Sequence, residues 1–567
     1  MIIYINKKPY SARLGETILQ VAIRNKVDIP HFCYHEDLPV EANCRTCLVE
    51  IEKTGKIVTS CTLKAEKGLS VRTNTARVKK LRLKNIELLL AGHSKNCPKC
   101  KDGLYCRVAE IAKKYGVSLI KYQRPKIKEK PHKMSQAAEL DSQLCIACNN
   151  CVAICQKIGI GFLEMKGKNV QTHATFTRNP KIDCIYCGQC TVHCPVGSAR
   201  EQNQIKKVEK VLKRKNKVLI AQMAPSVRAS IGEEFSLPVG TDLTGQIYTA
   251  FRKLGFDKVF DVNMGADITT VVEAEELAER IKKNKNLPMF TSCCPAWVKF
   301  VEFYHPELIK NLTTARSPQI HSGAAYKTWW AEKEGIDPKK IVVVSFMPCT
   351  SKKYEARHRK LKVNGLYPVD YVLTTREFAA LLKKRKIDLP KLKPGKVDLS
   401  GTFSGAGAIY GVSGGVMESA LRTAYYDITG KELGKVDFKA VRGIEGIKKT
   451  QIKIGKRTLK IAVAATAANA EKIIQEIKKN KRAYDYVEVM ACPGGCIGGG
   501  GQPIPTTLQV VKKRIEALYG IDSKMKLRKA HLNPVVRDFF DNYINRLPRV
   551  ERQKILETNY SRKNKFE

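Results

Sequence analysis

The sequence predicts a multidomain chain, α+β in its first third and α/β beyond. Three observations predict this. The chain has 567 residues, too many for one hydrophobic core. Its 20 cysteines are unevenly spread: fifteen lie between Cys33 and Cys194, and the other five are Cys293, Cys294, Cys349, Cys492 and Cys496. From about residue 215, strand-like runs (KVLIAQMAP, IVVVSFMPC, LKIAVAAT, YDYVEVMAC) alternate with helical segments, the pattern of a large α/β domain.

The composition narrows the function classes. No run of ~18 apolar residues suggests a membrane span, and the start, MIIYINKKPYSARLGETILQ, lacks the features of a signal peptide. A cytoplasmic protein is expected, with metal sites as the better reading of its cysteines than disulfides. The net charge of +47 favours acidic partners. Because that charge is spread along the chain without aromatic-basic interleaving, neither a nucleic-acid partner nor a membrane is expected.

Residues 1–78 open with two strands, MIIYI and PYSAR. The helix GETILQVAIRN follows, with Ile18, Val21 and Ala22 on one face. Cys33, Cys44, Cys47 and Cys61 form a four-thiolate set there, for which [2Fe–2S] and zinc are both open on spacing. Residues 79–118 carry a helical pattern and His93-x3-Cys97-x2-Cys100-x5-Cys106, read as a His-ligated [4Fe–4S] site. KYQRPKIKEKPHKM (121–134) reads as a charged linker. Residues 135–205 contain an internal repeat. Cys145-x2-Cys148-x2-Cys151-x3-Cys155 is matched by Cys184-x2-Cys187-x2-Cys190-x3-Cys194 and Pro195. This is the two-cluster bacterial ferredoxin spacing, in which the fourth cysteine of each run serves the other cluster. One [4Fe–4S] then falls to Cys145, Cys148, Cys151 and Cys194, the other to Cys184, Cys187, Cys190 and Cys155. In the α/β domain, three strand-like runs end in candidate site sequences, which suits a site at strand C-termini. The loop CPGGCIGGGGQP lacks a P-loop ending, so its glycines are read as admitting a bulky cofactor. Bottom-up, the five late cysteines offer four ligands and one spare.

At TSCCPAW, MPCTSKKYEARH and MACPGGCIGGGGQP the chain resembles the [FeFe]-hydrogenases of the large monomeric clostridial type, over nearly its whole length. Residues 1–118 also resemble the largest peripheral subunit of respiratory NADH dehydrogenase, and ALYGIDSKMKLRKAHLNP (517–534) resembles a fused small-subunit segment. The resemblance implies the full architecture: a β-grasp [2Fe–2S] ferredoxin-like domain (1–78), a [4Fe–4S] domain with one histidine and three cysteine ligands (79–118), a 2[4Fe–4S] ferredoxin-like domain (135–205), a two-lobed α/β H-cluster domain (215–508) and the small-subunit-like segment (509–548). It implies an H-cluster, a [4Fe–4S] cube joined through a cysteine sulfur to a two-iron unit with CO, cyanide and a bridging dithiolate amine. Cys294, Cys349, Cys492 and Cys496 are implied as cube ligands, with Cys496 bridging. Lys352 is implied as a donor to cyanide. Ala224, Pro225, Ser226, Gln319, Met347 and Met490 are implied to line the two-iron pocket, with Tyr410 in another wall. The implied proton relay is Cys293, Glu273, Thr313 and Glu276, with Ser317 nearby. The implied reaction is 2H⁺ + 2e⁻ ⇌ H₂ in anaerobic hydrogen metabolism. Electrons would be exchanged with an acidic ferredoxin through one [2Fe–2S] and three accessory [4Fe–4S] clusters, and maturation proteins would supply the two-iron unit.

The chain departs from the family pattern at Pro493, Gly498 and Thr466, where histidine, asparagine and glycine are frequent. Two alternatives stand beside the main reading. The chain could be the hydrogenase subunit of a multimeric NAD(H)-linked or bifurcating complex, or a non-catalytic iron–sulfur assembly or sensory relative.

Overall fold

The computed structural model describes residues 1–91, 106–117, 122 and 127–567. His93, Cys97 and Cys100 lie outside the described residues, so of that expected ligand set only Cys106, which is buried, can be located.

The first domain is a mixed sheet covered by one helix. Strands β1 (Ile2–Ile5) and β2 (Lys8–Ser11) form a hairpin whose two-residue turn, Asn6-Lys7, is left-handed at both positions. The helix Ile18–Arg24 starts at a capping box, in which the Gln20 N–H donates to Thr17 and the Thr17 N–H donates to Gln20. It buries Ile18, Leu19, Val21 and Ala22 in one core with Ile3, Ile5, Val49 and Val71. Strands β3 (Leu48–Ile51), β4 (Ile57–Thr59) and β5 (Ser70–Arg72) complete the sheet in the order β2-β1-β5-β3-β4, with β1 and β5 parallel at its centre. This is the expected β-grasp arrangement. The following helix, Ala76–Leu90, sends the buried Arg82 under the cysteine loop, where it donates to the carbonyls of Thr46 and Leu48.

The cysteine repeat is also a backbone repeat. Ala147 and Asn149 flank Cys148 in left-handed conformation, and Tyr186 and Gly188 flank Cys187 in the same way. Each run then enters a helix, Asn150–Lys157 or Gln189–His193. Strands β6 (His132–Met134), β7 (Ala138–Leu140), β8 (Leu163–Lys166), β9 (His173–Phe176) and β10 (Ala199–Glu201) form a hairpin, β8-β9, and a sheet, β10-β7-β6. The charged linker expected over 121–134 therefore ends inside the sheet. Its last three residues pair with β7, and the His132 ring stacks on Phe176 at 4.0 Å. Charge and proline mark edge strands as well as linkers, and the pattern alone does not separate them.

The large domain has two lobes. Its strands are β11 (Val218–Met223), β12 (Lys258–Asp261), β13 (Met289–Phe290), β14 (Ile341–Met347), β15 (Tyr371–Thr374), β16 (Ile447–Ile454), β17 (Arg457–Ala465) and β18 (Tyr486–Met490). One sheet, β12-β11-β14-β15, is parallel throughout. The other, β13-β18-β17-β16, is parallel except for β16. β14 is buried at every position, as a strand covered on both faces should be. The 22-residue helix Val262–Lys283 lies between the lobes and packs on helix Pro318–Ala325 of one and helix Gly415–Thr429 of the other. A Cβ at Gly265 would lie 2.2 Å from the Pro318 carbonyl oxygen, so the first of these contacts requires glycine. Among the described residues, no helix is long and apolar enough to cross a membrane.

Buried ion pairs join the units. Arg376, on helix Thr375–Lys384, meets Glu201 of β10 through two contacts of 3.0 Å and also donates to the Gly500 carbonyl at 2.9 Å. Arg514 of helix Leu508–Lys524 pairs with Glu233 at 2.6 Å, and Asp522 of the same helix pairs with Arg422. The last residues return to the ferredoxin-like unit, where the Phe566 N–H donates to Asp183. Arg376→Met deprives Glu201 of this buried counter-charge and is expected to destabilise the protein by about 3–5 kcal/mol. Urea unfolding checks this: the midpoint should fall, and an unchanged midpoint would show that the pair does not hold the seam.

Candidate active site

The site forms where strands from both lobes end. Ala224-Pro225-Ser226 follows β11, Pro348-Cys349 follows β14, and Ala491-Cys492 follows β18; Cys293 and Cys294 lie three and four residues beyond β13. The crevice beyond parallel-strand C-termini is where such folds gather ligands.

The two adjacent cysteines face different surroundings. Cys294 is the extended residue that opens helix Pro295–Tyr304, with Pro295 at the first helical position. Burial raises the Cys294 thiol, but the backbone N–H groups of Ala491, Trp297 and Ala296, with the Lys352 charge, pull it toward thiolate. Cys349 is pushed up to about 11, mainly by burial and then by Cys294, against Lys352 and the N–H groups of Lys352 and Ser351. At Cys293, burial and then Glu273, Cys294 and Cys496 push the thiol well above its usual range, opposed by Lys352. Cys294 and Cys349 thus have the donors that stabilise a metal-bound thiolate, while Cys293 is held as a neutral thiol.

One cavity lies between the lobes. Ala224, Pro225, Ser226, Gln319, Met347, Tyr410 and Met490 all line it, together with Cys293, Cys349, Cys496 and Lys352. Lys352 donates from Nζ to the Cys293 carbonyl at 3.1 Å and to Glu355 at 2.9 Å. Burial opposes its charge, but Glu355, by charge and hydrogen bond, leads the groups that outweigh burial, and its pKa is raised. Gln319 donates to the same Glu355 oxygen at 2.9 Å, and its own Oε1 has no hydrogen-bond partner among the described residues. A buried acceptor of this kind, in a cavity with a fixed cation, fits a ligand that brings both donors and negative charge.

Glu273 and Glu276 lie on helix Val262–Lys283, one turn apart. Thr313 donates from Oγ1 to Glu276 at 2.6 Å; the Thr314 N–H and the Arg280 guanidinium also reach this carboxylate. Glu273 is fully buried. Its Oε1 accepts from the Tyr486 hydroxyl at 2.5 Å, and its Oε2 has no hydrogen-bond partner among the described residues. Burial pushes Glu273 up to about 8, and the Tyr486 hydrogen bond pulls the other way. Ser317 stands apart from this set. Its hydroxyl has no hydrogen-bond partner among the described residues, and it lines a neighbouring cavity with Glu302, Arg316 and Glu355.

Sequence reasoning did not single out Glu355, Arg280, Thr314 or Tyr486. Glu355 stands three residues after Lys352 and Arg280 four after Glu276, so helical spacing held a signal for both. Nothing local marks Tyr486, which reaches Glu273 from another strand.

Within the glycine-rich loop, Gly500 meets protein backbone. A Cβ at Gly500 would lie 2.5–2.6 Å from the Cys187 and Gly188 backbone, and one at Gly188 would lie 2.2 Å from the Thr350 hydroxyl. The loop is bare so that the second cysteine run can dock against it. Thr466, where glycine was expected, keeps φ at +82°, a strained conformation for a β-branched residue.

Among the described residues, the cysteines of the repeat and of the N-terminal domain form compact groups. Cys148 and Cys151 are pushed well above their usual range, first by burial and then by a group that includes Cys145 and Cys194; Cys184 and Cys190 are pushed up by burial and then by one that includes Cys187 and Cys155. Backbone N–H groups of Ala147 and Ala174 donate to Cys145, that of Tyr186 to Cys184 and that of Ala199 to Cys194, at 3.3–3.4 Å. Cys33 and Cys44 approach to 3.5 Å, and Cys47 pairs with Cys61. Buried sulfurs that repel one another yet receive N–H donors fit thiolates around iron.

Comparison with known proteins agrees with this geometry. The family description "Iron only hydrogenase large subunit, C-terminal domain" matches residues 217–500, and "Iron hydrogenase small subunit" matches 508–563. "2Fe-2S iron-sulfur cluster binding domain" matches residues 1–76, and "4Fe-4S dicluster domain" matches 144–198. The chain is 39% identical to iron hydrogenase 1 of Clostridium pasteurianum, covering 99% of this chain and 100% of that protein. It is 38% identical to the NADP-reducing hydrogenase subunit HndD of Solidesulfovibrio fructosivorans, covering 100% of both. A solved variant of apo [FeFe]-hydrogenase HydA1 from Chlamydomonas reinhardtii is similar with a TM-score of 0.57 and 36% identity, over 64% of this chain and 99% of that one.

The buried Glu273 has a consequence for stability. The native protein holds a proton on it up to about pH 8, while the unfolded chain releases that proton above about pH 4.5. Stability therefore falls as the pH rises between these values. Glu273→Gln should remove this loss, a gain on the order of 3–5 kcal/mol at about pH 8 relative to about pH 5. Urea midpoints at the two pH values measure it, and parallel pH slopes in both proteins would show that Glu273 is already ionised when folded.

Proposed function

The chain belongs to the iron-only, or [FeFe], hydrogenases, and on that premise we propose how its residues divide the reaction 2H⁺ + 2e⁻ ⇌ H₂. It is a hydrogenase that carries iron–sulfur clusters and an H-cluster. When bound, the H-cluster supplies the redox chemistry that joins protons and electrons into H₂ and reverses it. Cys294, Cys349, Cys492 and Cys496 would hold its cube, and Cys496 would also hold the two-iron unit with its CO, cyanide and dithiolate amine. The observation that carries this reading is the single cavity shared by Cys293, Cys349, Cys496, Lys352 and the seven other residues expected to line it.

Within that cavity, Lys352 is kept charged by Glu355 and would donate to cyanide. Met347, Met490, Ala224 and Pro225 exclude water, while Ser226, Gln319 and Tyr410 orient the two-iron unit. Cys293 holds a proton at Sγ. Glu273 takes or returns it, and Thr313 and Glu276 carry it toward the partly exposed end of the relay at Arg280. Cys33, Cys44, Cys47 and Cys61 would hold one [2Fe–2S], His93, Cys97, Cys100 and Cys106 a [4Fe–4S], and the cysteine repeat two interleaved [4Fe–4S] sites, which together would supply the electron path. The crowding of Cys148 with Cys194 and of Cys184 with Cys155 supports that interleaving. The domain division follows these functions: 1–78, 79–118, 135–205, 215–508 and 509–548.

The adjacent cysteines give the decisive test. Cys293→Ala should keep all the iron and lose nearly all turnover, about 10²-fold or more. Cys294→Ala should lose the H-cluster. Iron analysis and H₂ assays of both variants check this, and full turnover in Cys293→Ala would return the thiol to a packing role.

The electron partner is an acidic ferredoxin in the cytoplasm, as the +47 charge supports, and maturation proteins deliver the two-iron unit. The ferredoxin-dependent rate should fall steeply with added salt, because screening acts over about 8–10 Å. A second reading, a subunit of an NAD(P)-linked complex, is favoured by the similarity to the subunit HndD. A flat salt profile, together with native purification as a larger assembly, would favour it.

A further inference from the structure

The tyrosine that reaches Glu273 from the opposite lobe has no place in the family reading above. Tyr486 lies on β18, four residues before Met490, and is completely buried. Its hydroxyl donates to Glu273 Oε1 at 2.5 Å. That bond occupies one carboxyl oxygen and leaves the other, Oε2, buried with no hydrogen-bond partner among the described residues. A carboxyl group anchored by one oxygen presents the second in a fixed direction. We infer that Tyr486 is a positioning residue for the relay: it fixes the rotamer of Glu273 so that Oε2 is the oxygen that exchanges a proton with Cys293.

The inference rests on Glu273's proposed place in the relay. The geometry around the bond favours a specific role over simple packing. A phenylalanine would fill the same space, whereas the hydroxyl adds a single donor aimed at a single buried acid. The charged and titratable groups facing Glu273 are few. Glu276 and Arg280 act on it from its own helix, Cys293 from the loop after β13, and Tyr410 from the segment after residue 408. Tyr486 and Glu488 act on it from β18. Glu488 is itself buried; it accepts from the Gly414 and Met417 N–H groups and feels the Lys448 charge. Of these, Tyr486 is the one that donates a hydrogen bond to Glu273.

The bond also sets how readily Glu273 gives up its proton. Burial favours the neutral acid, and the Tyr486 donor favours the carboxylate. A relay that runs in both directions needs both forms accessible near neutral pH. Without the hydroxyl, Glu273 stays protonated to higher pH. Accepting a proton from Cys293, as H₂ oxidation requires, then becomes harder than donating one.

The test uses the reconstituted holoenzyme and Tyr486→Phe. The Glu273 carboxylic acid band in the infrared is first identified as the band lost in Glu273→Gln. The H-cluster infrared bands and iron content report that Tyr486→Phe is correctly assembled. The midpoint at which the Glu273 band titrates should move up by about one pH unit. At neutral pH, H₂ oxidation should fall several-fold relative to H₂ evolution. An unchanged midpoint, or an unchanged ratio of the two activities across pH, would reduce Tyr486 to a packing ring and overturn the inference. Full turnover in Glu273→Gln would instead overturn the relay reading, while the band titration would still report whether Tyr486 acts on Glu273.

Discussion

The structure depends on one close contact: the bare backbone of the glycine-rich loop lies against the second cysteine run. Gly500 sits where any side chain would collide with Cys187 and Gly188, and Gly188 sits where any side chain would collide with Thr350. Arg376 fastens the seam by reaching Glu201, Thr191 and the Gly500 carbonyl. Cys187 is thereby brought within electrostatic reach of Cys349 and Cys294, two of the proposed cube ligands. The wiring and the catalytic pocket are joined by backbone contact, which side chains would have held apart.

The pocket behind this seam is buried, and its ionisable groups are sorted by their neighbours. Lys352 stays charged because Glu355 and nearby cysteines outweigh burial. At Glu273 and Cys293 burial outweighs the pull of Arg280 and Lys352 and keeps them neutral. A low-dielectric site can therefore keep a fixed positive charge and a mobile proton side by side. The arrangement costs stability, because Glu273 and Glu488 are fully buried acids. The long helix Val262–Lys283, packed between two lobes, holds Glu273, and β18 holds Glu488.

Much of the fold was legible because its signals are local. The N-terminal hairpin and helix, and the strands ending at Met223, Met347 and Met490, follow from short patterns of apolar residues and caps. The family resemblance added the ligand set and the pocket lining, and the cavity collects those lining residues. Where the reading needed correction, the deciding partner lay elsewhere in the chain. His132–Met134 looked like linker because its charge was visible and its β7 partner was not. In CPGGCIGGGGQP, Gly500 meets the Cys187 and Gly188 backbone, a neighbour about 300 residues away that no local pattern shows.

Cysteine number and spacing by themselves determined that this chain carries iron–sulfur wiring, because thiolate ligands at fixed intervals wrap a cluster whatever the rest of the fold does. Spacing could not assign different tasks to Cys293 and Cys294. Only the tertiary structure separates them: backbone N–H groups from Ala491 and the following helix converge on one sulfur, and a buried carboxyl group lies beside the other. The same holds for Tyr486. Its hydrogen bond to Glu273 joins a strand of one lobe to the helix between the lobes, and such a bond exists only once both are packed.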